Sequence, residues 1–395
     1  MKILNVVGAR PQFIKYYPIS NAFRQLQERS GFDINDILVH TGQHYDYSMS
    51  KIFFDQFGIK EPEYHLGVGS APHGKQTGEI ITKCEEVFLK ERPDVVVVYG
   101  DTNSTVGAAL AASKQDIPVA HIEAGLRSFN KYMPEEINRI VTDHVSSYLF
   151  CPSSSSAYNL TKEGFSNILN GGDLVGLDYC TTIGEKAIPP GKNNPMVVNV
   201  GDVMYDALVH SVLIAEGLDV LNKLHIEEKK YCLLTVHRAE NTGDREKFNE
   251  IIEFVEAAAG GQQVIFPVHP RTRRLFEEFS AAGTFSGGIL PIEPVGHFEL
   301  IALIKNSALV LTDSGGIQKE AFWLKVPCVT LREQTEWVET VKNGWNIFYK
   351  KYNGRHNLSS NGCLCYGDGR SSERIAAHLV YTLRHNINER VPIGS

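Results

Sequence analysis

The chain has 395 residues, 43% of them hydrophobic, and its 46 acidic residues outnumber 39 basic ones to give a formal net charge of −7. Because single hydrophobic cores stop growing at roughly 250–300 residues, this length predicts two globular domains. The acidic balance and the lack of a long basic run argue against nucleic acid or an anionic membrane as the main partner.

The apolar run at residues 1–7 is too short for a signal peptide, and no stretch approaches the ~18–20 apolar residues that span a bilayer. We therefore expect a cytoplasmic protein without a membrane partner. Most of the seven cysteines lie in apolar runs, which favours buried free thiols. Cys363 and Cys365 alone suggest metal ligation, and without a second pair at matching spacing they do not predict a metal site.

The first half of the chain alternates short β-rich runs with helical patterns, which is typical of a parallel sheet with helices on both faces. The predicted strands are residues 2–7, 36–41, 94–99, 119–122, 148–151 and 197–200. The predicted helices are residues 12–26, 48–57, 74–92, 105–114, 135–147 and 155–163. Residues 169–195, rich in Gly, Pro and Asn, predict a long surface excursion.

The alternation restarts after Gly201 and predicts a second doubly wound α/β domain. The predicted strands are residues 231–236, 263–268, 288–291, 307–311 and 327–331. The predicted helices are residues 201–224, 245–258, 297–305, 317–324 and 372–384. We expect an N-terminal domain at 1–200 that carries the acidic residues, a C-terminal nucleotide-binding domain at 201–370, and a final helix at 371–395 that packs back on the N-terminal domain.

Tandem open sheets predict a ligand site in the cleft between them, outside the carboxyl ends of their strands. Asp101, Glu123 and Glu135 fall where the first domain would face this cleft. Carboxylates grouped in a partly dry cleft repel one another and push their pKa values apart, which suits one as a base and another as an acid. The alternative is helix capping for Asp101 and Glu123, and a favourable helix start for Glu135.

Residues 313–320 predict a strand end, a tight glycine turn and a helix start in the second domain. Gly315 and Gly316 let the backbone approach a ligand closely, and the first N–H groups of the helix lack intrahelical partners. This arrangement favours a phosphate or carboxylate, although a purely structural turn is the alternative.

Three further side chains add to the predicted cleft. His237 follows a predicted strand and can carry a proton or donate to a phosphate. Arg10 and Lys15 follow the first strand with a reach suited to a pyrophosphate or ribose. Because these groups and the helix start can neutralise a pyrophosphate, we expect neither a metal nor another cofactor. Residues 8–11 also lack the Gly-x-Gly-x-x-Gly pattern of dinucleotide-binding turns.

The strand-end motifs lie at residues 8–11 with Lys15, 41–44, 100–102, 121–127, 134–139, 237–238, 267–269 and 312–320. Taken in order, they resemble the non-hydrolysing UDP-N-acetylglucosamine 2-epimerase family over nearly the whole chain. The resemblance implies the two-domain Rossmann-like architecture shared with GT-B glycosyltransferases. We also expect a homodimer.

The resemblance implies that UDP-N-acetylglucosamine loses its C2 proton and then UDP from C1 to give a 2-acetamidoglucal. UDP adds back with the proton on the opposite face, which yields UDP-N-acetylmannosamine. By motif, Asp101, Glu123 and Glu135 would be the acid/base residues, with His237 assisting at the leaving group. The implied substrate and UDP ligands are Arg10, Lys15, His44, Arg139, His269, Ser314, Gly315, Gly316 and Glu320.

Several segments, including residues 99–104 and 332–339, resemble the branch that contains epimerases of UDP-2,3-diacetamido-glucuronic acid. Trp337-Val338 stands where simpler members have Arg-Pro, and the segment after Gln43-His44 also differs, which puts activation by a second UDP-sugar in doubt. A hydrolysing epimerase, a GT-B glycosyltransferase and a non-enzymatic UDP-sugar sensor remain alternatives. The segment 169–195 resembles an insertion relative to the family, with no assigned role.

Overall fold

The computed structural model describes residues 1–43, 58–179, 190–281, 287–356, 358 and 364–390. The chain forms two compact units, one made of Met1–Ala207 with Leu364–Ser395 and the other of Leu208–Cys363. The helix predicted at residues 48–57 lies outside the described residues.

The first unit contains a seven-stranded parallel sheet in the order β3-β2-β1-β4-β5-β6-β7. The strands are β1 (Lys2–Val7), β2 (Asn35–His40), β3 (Tyr64–His65), β4 (Val95–Tyr99), β5 (Val119–Ile122), β6 (Tyr148–Cys151) and β7 (Met196–Asn199). The helices around it are α1 (Arg10–Ser30), α2 (His73–Glu91), α3 (Asn103–Lys114), α4 (Pro134–Val145) and α5 (Ser154–Lys162). The next helix, α6 (Val203–Ala215), begins in the first unit and ends in the second. All five residues of β4 are buried, as expected for a parallel strand covered on both faces.

The strand register brings the predicted site residues to one edge of this sheet. Val7 pairs with His40, Val6 pairs with Val98, and Tyr99 pairs with Ile122. Because all the strands run parallel, the turns that follow β1, β2, β4 and β5 share that edge.

The last helix, α14 (Ser371–Arg390), belongs to the first unit. Its buried residues Leu379 and Leu383 share a hydrophobic core with Phe23 of α1. Asp206 caps its start, since its carboxylate accepts from the backbone N–H groups of Ser371 and Ser372 and from the Ser372 hydroxyl, at 2.6–3.1 Å.

The second unit has a six-stranded parallel sheet in the order β10-β9-β8-β11-β12-β13. Its strands are β8 (Tyr231–Thr235), β9 (Gln263–Pro267), β10 (Ile289–Ile292), β11 (Leu309–Thr312), β12 (Cys328–Thr330) and β13 (Asn346–Phe348). Its helices are α7 (Val220–Lys223), α8 (Ala239–Thr242), α9 (Arg245–Ala259), α10 (Pro270–Ala281), α11 (His297–Asn306), α12 (Gly315–Trp323) and α13 (Val338–Lys342). The predicted class of two doubly wound α/β units is confirmed, but β13 and α10 were not predicted.

Part of the segment 169–195 is buried, so the prediction of a surface excursion is wrong there. Val175 is 1% exposed, and its N–H donates to the Asn199 carbonyl at 3.0 Å, while Ile168 forms a parallel bridge with Val197. Residues 180–189 lie outside the described part.

Cys84, Cys151, Cys232 and Cys328 are buried free thiols, as expected. Cys365, by contrast, is disulfide-bonded. None of the helices in the described ranges is long and apolar enough to cross a membrane.

Candidate active site

Glu123 directly follows β5 with a backbone φ of +76°, in the left-handed region that residues other than glycine rarely adopt. Its carboxylate contacts the Lys15 ammonium, and the two side chains are only 12% and 9% exposed. A side chain at Gly100 would crowd both charged ends, because a Cβ there would stand 3.3 Å from Lys15 Nζ and 3.4 Å from Glu123 Oε2. Helix capping does not explain Glu123, since the next helix, α4, begins at Pro134.

Asp101 lies after β4 with its side chain 37% exposed, and Oδ2 accepts from Arg139 Nη1 at 3.0 Å. The Asn138 side-chain amide donates to the Asp101 carbonyl at 2.9 Å, which ties this turn to α4. The cap of α3 is Thr102 rather than Asp101, so the capping alternative fails here too. Arg139, which the sequence suggested as a substrate ligand, therefore contacts an acidic site residue.

Glu135 and Glu136 are adjacent in the first turn of α4 but differ in their surroundings. Glu136 is buried and accepts from the backbone N–H groups of Ser128 and Phe129 at 2.9 Å, so it fixes the preceding loop. Glu135 is exposed, and its side chain has no hydrogen bond or ion pair within the described part of the chain. Because residues four apart share a helix face, Glu135 lies on the face of Arg139, which contacts Asp101.

The turn after β1 is closed by Gln12. Its side-chain oxygen accepts from the N–H groups of Gly8 and Ala9 at 2.7 and 3.0 Å, and its amide donates to the Tyr99 carbonyl at 2.6 Å. These N–H groups are the ones that a dinucleotide phosphate would use, so the turn is not built as a phosphate seat. The side chain of Arg10 and the whole of His44, both predicted ligands, lie outside the described part.

In the second unit, Asp313 organises the turn after β8. Its buried carboxylate accepts from the N–H groups of His237 and Arg238 and from the Asn241 side chain, at 2.9–3.3 Å. It also lies 3.3 Å from His237 Nδ1, and the imidazole is 39% exposed. The ring of His269 is 5.6 Å from that of His237, centroid to centroid. Asp313 thus orients a half-exposed histidine, a function that the sequence did not assign to it.

Ser314 precedes α12, and its side chain forms no capping hydrogen bond to the helix. A Cβ at Gly315 would stand 2.6 Å from Glu336 Oε1 and 3.1 Å from Trp337 Nε1, so a side chain at this position would have to displace the Glu336 carboxylate. Among the described residues, a Cβ at Gly316 would meet only Ser314 Oγ, at 3.9 Å, so within that part of the chain the space beside the helix start is open. Unpaired N–H groups next to open space suit an anion.

Residues 332–339, which include Trp337-Val338, pack against this glycine turn. Arg332 Nη1 lies 3.1 Å from Glu336 Oε2, and Lys319 Nζ lies 3.7 Å from the centroid of the Trp337 ring. Glu320, a predicted UDP ligand, is 8% exposed within α12. Trp337 therefore shapes the surroundings of the glycine turn.

The structure gathers the predicted residues into two groups, each within its own unit. The first-unit group contains Lys15, Asp101, Glu123, Glu135 and Arg139, and the second-unit group contains His237, His269, Ser314, Gly315, Gly316 and Glu320. Within the described ranges, no three His, Cys, Asp or Glu side chains are placed to hold a metal ion.

Known proteins resemble the chain over most of its length. The family model for UDP-N-acetylglucosamine 2-epimerase matches residues 24–380. A UDP-N-acetylglucosamine 2-epimerase homolog of Methanococcus maripaludis is 49% identical over 352 residues, 88% of each chain. The UDP-2,3-diacetamido-2,3-dideoxy-D-glucuronate 2-epimerase of Pseudomonas aeruginosa is 43% identical over 390 residues, covering 96% of this chain and 99% of the relative.

Solved structures agree with these relatives. The UDP-GlcNAc 2-epimerase of Methanocaldococcus jannaschii, solved with UDP-GlcNAc and UDP, is 39% identical with a TM-score of 0.75, covering 96% of this chain and 100% of the other. The predicted fold class is confirmed by this match. The chain belongs to the UDP-N-acetylglucosamine 2-epimerase family.

Proposed function

We propose that the protein inverts C2 of a UDP-N-acetylhexosamine, converting UDP-N-acetylglucosamine to UDP-N-acetylmannosamine without net hydrolysis. The observation that carries the proposal is the grouping of three carboxylates at one edge of the first sheet. Asp101 and Glu123 follow adjacent strands and are each paired with a cation, and Glu135 lies at the start of the nearby helix α4. A UDP-sugar sensor would not need three carboxylates at this edge, and an acceptor-binding glycosyltransferase would not need them around the sugar.

In the proposed reaction, a carboxylate takes the C2 proton while the bond between C1 and the UDP oxygen breaks. The C2–H electron pair becomes the C1–C2 double bond of a 2-acetamidoglucal. The UDP oxygen then adds back to C1, and a second acid delivers a proton to the opposite face of C2. Acids and bases on two faces are required, and separate carboxylates in different surroundings meet that requirement.

Each group has a distinct proposed role. Lys15 holds the Glu123 carboxylate in place, and Arg139 does the same for Asp101, because an ion pair orients the carboxylate. His237, oriented by Asp313, assists the departing UDP, and the N–H groups at the start of α12 bind its diphosphate.

Two substrates are candidates, because the Pseudomonas aeruginosa relative is named for UDP-2,3-diacetamido-2,3-dideoxy-D-glucuronate. We propose UDP-N-acetylglucosamine as substrate and the diacetamido-glucuronate as the second candidate. We also propose that the protein is a homodimer. Light scattering of the purified protein should then give the mass of two chains.

Proton NMR in deuterated water tests the reaction with both UDP-sugars in parallel. Deuterium at C2 in product and recovered substrate, with UDP-linked sugar conserved, is the expected result for the true substrate. Free N-acetylmannosamine with UDP would identify a hydrolysing enzyme, and no C2 exchange with either sugar would refute the proposal.

Glu135→Gln is the cleanest variant for this assay, because the exposed side chain has no partner in the described structure whose loss would unfold the protein. We expect exchange to fall by about 10²–10⁴-fold, the usual contribution of a general acid or base. Glu86→Gln, an exposed glutamate on α2, is the matched control and should leave exchange unchanged.

A further inference from the structure

His121 lies at the centre of β5 with none of its side chain exposed, and both of its ring nitrogens face oxygen atoms. Nδ1 is 2.6 Å from Asp143 Oδ1, and Nε2 is 2.7 Å from the carbonyl oxygen of Gly100. Asp143 is itself fully buried in α4. This pair was not assigned a role from the sequence.

The two oxygen partners determine where the protons are. A carbonyl oxygen can only accept, so His121 Nε2 must carry a proton. Asp143 Oδ2 accepts from the Gly125 N–H at 3.1 Å and from Arg127 Nη2 at 2.8 Å, which is the surrounding of an ionised carboxylate. Burial by itself would raise the Asp143 pKa, but His121 and Arg127 outweigh it and the pKa is lowered. An ionised Asp143 can likewise only accept, so the hydrogen-bond geometry uses both ring nitrogens of His121 as donors.

This pair joins the two loops that carry the acidic residues. The Gly100 carbonyl immediately precedes Asp101, and the Gly125 N–H lies two residues after Glu123. Arg127 extends the connection, because its guanidinium makes two hydrogen bonds of 2.7 Å to Glu163. Neither His121 nor Asp143 is exposed, so neither can touch a substrate.

We propose that His121 is a positioning residue, held as an imidazolium by Asp143, that fixes the loops of Asp101 and Glu123 at catalytic spacing. The inference rests on the proposed epimerase reaction for its kinetic consequence. The protonation state of the ring does not depend on that reaction, so the two can fail separately.

The protonation state is tested directly by NMR of ¹⁵N-histidine-labelled protein at pH 7.5. We expect wild-type His121 to show a proton on both ring nitrogens, with the signals assigned by their loss in His121→Phe or His121→Gln. In Asp143→Asn the introduced amide can donate to Nδ1, so the ring should become neutral with a single N–H. A wild-type ring with one N–H would overturn the proposal.

Kinetics test the positioning. His121→Phe removes both donors, and since a misplacement of about 1 Å costs about 10²-fold, we expect kcat to fall by that amount. KM and UDP affinity should stay within about threefold, because the ring touches no ligand. Asp143→Asn preserves the chain of hydrogen bonds, so its kcat should fall by less than about tenfold.

In the double variant His121→Gln with Asp143→Asn, two side-chain amides can rebuild the hydrogen bonds between the loops. Its kcat should be at least about tenfold higher than that of His121→Phe. Glu86→Gln, an exposed glutamate on α2 outside this network, is the control. Unchanged kcat in a folded His121→Phe, or no recovery in the double variant, would overturn the positioning role. A wild-type enzyme that fails to epimerise would refute the proposed function and leave the NMR result intact.

Discussion

His378 of α14 is fully buried beside Phe150, with ring centroids 6.4 Å apart. Neither ring nitrogen has a hydrogen-bond partner within the described structure. Burial lowers the His378 pKa from 6.5 to about 4. We predict that His378→Leu stabilises the first unit and makes its stability less sensitive to acid.

The sign follows from the proton count in each state. Between pH 6.5 and about 4 the unfolded chain binds a proton at His378 that the folded protein does not, so the free energy of unfolding falls as the pH falls. With about 1.4 kcal/mol for each tenfold difference in proton affinity, the loss is about 2 kcal/mol at pH 5 and approaches about 3 kcal/mol near pH 4. At pH 8 the leucine should add about 1–2 kcal/mol, because a buried group without hydrogen bonds is removed.

Hydrogen exchange of β6 peptides, measured from pH 8 to pH 5 and corrected for intrinsic rates, reports the opening free energy of the first unit. The three tryptophans, Trp323, Trp337 and Trp345, all lie in the second unit, so their fluorescence during urea unfolding is an internal control that should not change. His40, whose pKa burial and His65 also lower to about 4, remains in both proteins and cancels in the comparison. Equal pH dependence of wild type and variant between pH 8 and 5 would refute the argument.

Three further predictions concern the site and the last helix. Gly316→Ala should not lower stability but should weaken UDP binding by about tenfold in calorimetry, because its methyl group enters the open space. Gly315→Ala should instead displace the Glu336 carboxylate from Arg332 and lower the free energy of unfolding by at most about 1 kcal/mol. Asp206→Ala should cost about 1–2 kcal/mol by removing the cap of α14, seen as faster hydrogen exchange in its first turn; unchanged exchange there would contradict the capping role. Glu123→Gln should abolish C2 exchange and also destabilise the first unit by about 3 kcal/mol, because the buried Lys15 ammonium loses its contact with a charged carboxylate; full exchange activity would remove Glu123 from the catalytic set.

The sequence predicted the fold class because its strands are buried on both faces and read as short apolar runs. The run Val95–Tyr99 is an example, since five apolar residues between polar turns leave few alternatives to a central parallel strand. β13 was missed because three residues carry too little periodicity. α10 was missed because its apolar face is small, made of Leu275, Phe276 and Phe279, in a sequence dominated by charged residues.

Within the site, strand-end positions were predictable but partners were not. Lys15 and Arg139 were expected to contact a ligand, and in the structure they contact Glu123 and Asp101. Such pairings depend on where residues distant in sequence meet, which periodicity does not record. The proposed role of His121 could not be predicted for the same reason. A histidine within a short apolar strand does, however, indicate a buried polar network.

The left-handed backbone at Glu123 has a consequence for directed evolution. Such a conformation costs of order 1 kcal/mol for a residue with a side chain, and glycine would relieve it. Selection for heat resistance alone should therefore drive this position to glycine together with an uncharged replacement of Lys15. If Glu123 has its proposed role, the resulting proteins would be more stable but inactive, and a library screened only by melting temperature would select against the active enzyme.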